Sequence, residues 1–158
     1  MKNKILIFIT WIFLVFGFAD CNKPEVTVYN KKELKNIKII KFNKIEINSL
    51  NFDPFIKDDV INIIEFKLNK AGYRIIKNVS TNKLINYDAV MNFYLSHRKF
   101  FKGINDIENI TIDLKLYDKT ENKICEVFFT DSAEEDILNT VKLKKYISEI
   151  IKQIKNIK

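Results

Sequence analysis

The stretch from Ile110 to Thr130 constrains this chain most. Ile110, Ile112, Leu114 and Leu116 alternate with Thr111, Asp113, Lys115 and Tyr117, so this strand has one apolar and one polar face. Asp118 to Asn122 reads as a turn, and Ile124 to Thr130 returns as a second strand, which completes a hairpin. An antiparallel sheet patterned in this way must cover one face and can leave the other in water. Ala89, Met91, Phe93 and Leu95 repeat the alternation upstream. Asn36 to Ile47 is a further strand whose phase slips near Asn43, as at a bulge or break, and Tyr73 to Ile76 begins a short one.

Two amphipathic segments are available as the cover. The first has Asp53 at the N-cap position and Pro54 in the first turn. Its stripe is Ile56, Val60, Ile63, Ile64, Leu68 and Ala71, and it stops at Gly72. The second runs from Ile137, with Val141, Ile147, Ile150, Ile151, Ile154 and Ile157 on one side and lysines on the other. The expected fold is α+β: a two-layer sandwich with a mostly antiparallel sheet of about four or five strands and both helices on one face.

The start of the chain is of another kind. Lys2 and Lys4 precede the apolar run Ile5 to Ala19, which ends at Asp20-Cys21, the layout of an export signal. Phe18-Ala19-Asp20-Cys21 resembles the relaxed lipobox of spirochaete-type lipoproteins. That resemblance implies a lipid on Cys21 and attachment to a membrane. Asp20 stands where a small residue is usual, which leaves two other readings. Cleavage before Asp20 would release a soluble chain, and an uncleaved anchor would have to span with fewer than the ~20 apolar residues normally needed. The domain reading is therefore a lipoprotein-type signal peptide over 1–20, a tether over 21–35 and one α+β domain over 36–158. Within the tether, Val26 to Tyr29 is a candidate short edge strand.

There are two cysteines. If Cys21 carries lipid, Cys125 has no partner for an intrachain disulfide; if cleavage falls before Asp20, the two can pair. Cys125 lies in the strand-like ICEVFF and reads as a small buried apolar residue.

The net charge is +7, and one of those charges leaves with the leader. Nearly all the basic residues are lysines, interleaved with apolar positions as on a solvated face, and Arg74 and Arg98 are the only arginines. The shortage of arginine, the residue suited to bidentate phosphate and guanine contacts, argues against a nucleic-acid partner.

In element order the chain resembles a group of small envelope proteins: the lipoprotein partner of the outer-membrane lipopolysaccharide translocon, the curli-export lipoprotein domain and the amino-terminal domain of TolB. The likeness rests on KIIKF (Lys38 to Phe42), LNKAGYRII (Leu68 to Ile76), YDAVMNFYL (Tyr87 to Leu95), the hairpin and the final helix. It implies assembly roles with protein or lipid partners at the outer membrane, on the periplasmic side or the surface.

No catalytic, cofactor or metal site is expected. His97, the only histidine, reads with Arg98 as the solvent-exposed end of a strand. Glu134, Glu135 and Asp136 sit where acids favour the start of a helix, and Asp58 and Asp59 take the same reading. The best candidate surface is the basic-aromatic cluster Arg98, Lys99, Phe100, Phe101 and Lys102, placed where a strand passes into a loop. The functional expectation is a non-enzymatic, lipid-anchored envelope protein that binds or helps assemble other envelope components. The alternatives are a surface-displayed module for an external protein or acidic glycan, or a soluble periplasmic domain if Cys21 is not acylated.

Overall fold

The computed structural model describes residues 23–49, 54–77, 86–102, 105–133 and 139–157. The leader with Cys21, Asp53, and the acidic run Glu134 to Asp136 lie outside the described residues. The strands are β1 (Glu25–Val28), β2 (Ile39–Ser49), β3 (Arg74–Ile76), β4 (Ala89–Lys102), β5 (Asn105–Tyr117) and β6 (Lys123–Ala133). The helices are α1 (Lys31–Asn36), α2 (Pro54–Lys70) and α3 (Thr140–Ile157).

The strands form one sheet in the order β1-β6-β5-β4-β2-β3. β4, β5 and β6 are the expected antiparallel meander, and β1 adds antiparallel to β6. β2 runs parallel to both β3 and β4, so the sheet is mixed. The α+β expectation holds, but among the described residues six strands and three helices replace the expected four or five and two. Part of the surplus comes from the stretch read as a tether, which joins the fold at Glu25. β1 pairs with β6, and Leu34 of α1 is fully buried. Apolar residues at Val26, Val28, Leu34 and Ile37 pack against or within the core, which explains why a tether-like composition still folds.

The helix-covered face carries Met91, Phe93 and Leu95 from β4, Ile110, Ile112, Leu114 and Leu116 from β5, and Cys125, Val127 and Phe129 from β6. α2 contributes Val60, Ile63, Ile64 and Leu68, and α3 contributes Leu143, Tyr146, Ile147, Ile150, Ile151 and Ile154. Each such large side chain taken out of water contributes about 1.5–3 kcal/mol. Val141, assigned to the α3 stripe from the sequence, is instead 78% exposed; it lies out of phase with the buried set. Asn139 caps the start of α3: its side-chain oxygen accepts from the Lys142 amide at 2.9 Å.

The slip near Asn43 is a bulge: Phe42 pairs with Met91, and Lys44 pairs with Asn92. β4 does not end at His97. It continues to Lys102, and His97 is 5% exposed on the core-facing side, with Nε2 3.3 Å from Glu108 Oε2. The histidine keeps the alternation of Met91, Phe93 and Leu95, so the strand rule puts it inward despite its polarity. Further along this face Tyr146 donates its hydroxyl to Asp131 Oδ2 at 2.7 Å.

Candidate functional site

The sheet narrows toward one end. β2 stops pairing at Ser49, level with His97, whereas β4 and β5 stay paired through Lys102 and Asn105. β6 accompanies β5 only as far as Ala133, opposite Glu108. Among the described residues the tip, Phe100 to Lys102 with its β5 partners, is therefore a two-stranded ribbon, and Arg98 and Lys99 lie at its base where β6 ends. This corrects the expected strand-to-loop transition: the cluster is paired backbone throughout. Arg98 and Lys99 are exposed, and Phe100 is 48% exposed opposite Ile107. Phe101 and Lys102 complete the strand opposite Asp106 and Asn105. Alternation separates the cluster, with Arg98 and Phe100 on the helix-free face and Lys99 in register with Glu108 on the other.

The helix-free face carries a charge ladder. Lys115 Nζ lies 2.6 Å from Asp113 Oδ2 and 3.3 Å from Glu126 Oε1. Lys123 Nζ is 2.8 Å from Glu126 Oε2, and Tyr29 donates its hydroxyl to the same oxygen at 3.2 Å. The Lys44 and Lys115 ammonium groups stand 5.7 and 5.5 Å from the Tyr94 ring centroid. The hydrogen bond from Lys115 to Asp113 holds its ammonium charged well above the ordinary lysine range.

At the end away from the ribbon the same face holds a polar cavity of about 430 Å³. β2 supplies Lys41 and Asn43, the segment leading into β4 supplies Tyr87, β4 supplies Asn92, and the β5–β6 turn supplies Lys119. Lys41 and Lys119 stand 5.4 and 5.8 Å from the centroid of the Tyr87 ring. Asn43 Nδ2 donates to Asn92 Oδ1 at 3.0 Å. The sequence reading missed this assembly because its parts come from separate segments and match no motif; the phase slip at Asn43 was the one local sign.

Cys21, the expected lipid attachment point, lies outside the described residues. Among the described residues no helix is long and apolar enough to cross a membrane. Cys125 is free and buried, and burial pushes its thiol up to about 11.

No family model matches the chain. Among solved structures it is similar to the PelC dodecamer from Paraburkholderia phytofirmans, with a TM-score of 0.60 and 10% identity, covering 85% of this chain and 97% of that one. A point variant of the same dodecamer gives a TM-score of 0.57 at the same identity and coverage. This likeness is one of fold. Among curated proteins the chain is similar to 3-dehydroquinate dehydratase from Streptococcus agalactiae serotypes Ia, V and III. Each is 24% identical over 119 residues, covering 61% of this chain and 53% of the relative. The chain thus spans about half the length of the curated relatives it matches. Those relatives are enzymes, which corrects the expectation that this chain is non-enzymatic: the exclusion of enzymes drawn from the sequence does not stand.

Proposed function

We propose that this chain is a cell-envelope protein, anchored to the outer membrane by lipid on Cys21, whose domain binds or helps assemble other envelope components through the β4–β5 ribbon. The carrying observation is Phe100, half exposed on a paired ribbon beyond the last described partner residue of β2, with Arg98 on the same face. A ribbon of this kind offers a partner an edge for strand addition. An exposed aromatic gives that contact an anchor, and Arg98 on the same face steers an acidic partner toward it. The fold likeness adds support, since PelC with this architecture is a dodecamer.

The test is cross-linking in native membranes with wild type and Phe100→Glu. The wild type is expected to give discrete adducts and the variant to lose them, with stability changed by less than about 0.5 kcal/mol as for a surface site. Unchanged adducts, or destabilisation of about 3 kcal/mol or more as for a buried phenylalanine, would overturn the docking role. The mass of the N-terminal peptide from the same membranes tests the anchor: an acylated Cys21 supports it, and an unmodified peptide starting at Asp20 makes the domain soluble.

A further inference from the structure

We propose that the cavity around Tyr87 binds a small acidic sugar, a hydroxylated ring bearing one carboxylate or phosphate, with Lys41 and Lys119 holding the anion and the Asn43–Asn92 pair reading its hydroxyls. This stands apart from the docking role of the ribbon, which occupies the other end of the sheet. Its volume of about 430 Å³ falls within the range of small-molecule sites and exceeds that of one hexose.

Two lysines face one ring, and neither forms an ion pair among the described residues. Like charges gathered beside a single aromatic repel each other, and an anion between them removes that cost. Elsewhere on the same face lysines are matched: Lys44 with Glu46, Lys115 with Asp113, and Lys123 with Glu126. The two at Tyr87 have no carboxylate partner among the described residues; Lys119 donates to Asn86 Oδ1 at 2.7 Å, a neutral acceptor that leaves its charge unbalanced.

The cavity also contains Asp118, but this carboxylate is committed to its own turn. One oxygen accepts from the Thr120 amide and hydroxyl and from the Asn122 amide, and the other accepts from the Asn122 side chain. Glu121, exposed at the same turn, is placed to accept from a sugar hydroxyl.

The amide pair supplies the remaining recognition. Asn43 is the extra residue of the β2 bulge, which turns it and Lys44 toward the same face. Its one hydrogen bond to Asn92 leaves the Asn43 carbonyl as an acceptor and the Asn92 amide as a donor. A donor beside an acceptor fits vicinal hydroxyls, whereas a simple inorganic anion would engage the donor alone.

The experiment is an amide-resonance titration of the full chain in detergent with D-glucuronate, D-glucose 6-phosphate and D-glucose. One or both acids are expected to shift Lys41, Asn43, Tyr87, Asn92 and Lys119 with a Kd of about 1 mM, and glucose to bind at least about tenfold more weakly. The stronger acid identifies the anion as carboxylate or phosphate. Lys41→Gln with Lys119→Gln should erase the advantage of the acid over glucose, and Asn43→Ala should weaken acid and glucose alike. Equal binding of glucose and the acids, shifts confined elsewhere, or an unchanged acid preference in a folded double-lysine variant would overturn the proposal.

Discussion

Asp88 joins two strands that are distant in sequence. Its Oδ2 accepts from the backbone amides of Lys38 and Ile39 at 2.8 and 2.9 Å, and its own amide donates to the Ile39 carbonyl at 2.8 Å. The carboxylate thus anchors the entry of β2 to the entry of β4. Asp88→Ala should cost about 1–3 kcal/mol, because the amides lose a charged acceptor, and urea unfolding would measure it. Nothing in YDAVM signals this role, since the partners lie 50 and 49 positions away. Cys125 is the opposite case, because its burial was legible in the local run ICEVFF. With its thiol raised to about 11 and its side chain enclosed, it should resist a thiol reagent at neutral pH and react only on unfolding. Rapid native labelling would refute that placement.

At the scale of elements, α2 was almost fully legible and α3 only in part. The end of α2 shows why. Gly72 has φ +95°, its amide donates to Asn69, and the Tyr73 amide donates to Leu68, the paired bonds of a glycine-terminated helix. A Cβ at Gly72 would meet nothing within 4 Å, so Gly72→Ala isolates the backbone cost and should destabilise by about 1–2 kcal/mol. In α3 the isoleucine stripe was legible, but Val141 was assigned by hydrophobicity when its phase excludes it. Leu143 and Tyr146, missing from the expected stripe, complete the buried face. Val141→Lys should change stability by less than about 0.5 kcal/mol. Ile150→Ala should cost about 2–5 kcal/mol, and equal effects would show that the assigned face is wrong. The basic-aromatic cluster was legible as a group of residues, but its paired setting was not, because polar positions hide the alternation of β4 beyond Leu95.

Across the whole molecule, the features hidden in sequence are the non-local ones. Parallel pairing of β2 with β4 depends on the crossover through α2 and β3, which no local pattern encodes. The docking of β1 depends on a partner strand near the other end of the chain. Glu126 stands where these distant parts meet, taking Lys115 from β5, Lys123 from its own strand and the Tyr29 hydroxyl from just beyond β1. The Lys123 hydrogen bond, followed by that of Lys115, holds its carboxyl below its ordinary value of 4.5. Lowering of the folded value means that the contribution is complete above the unfolded value and fades as pH falls through the folded one. Glu126→Gln should therefore cost about 0.5–1 kcal/mol near neutral pH, a figure already discounted for partial exposure. The gap between variant and wild type should stay level above the ordinary value of 4.5 and close as pH falls through the lower folded value, where the native carboxyl takes up its proton. Asp118, whose carboxyl is likewise held low by its turn, weakens both proteins equally on acidification and cancels from the difference. A gap that persists on the acid side of that titration would mean that shape, rather than charge, is what Glu126 contributes at this junction.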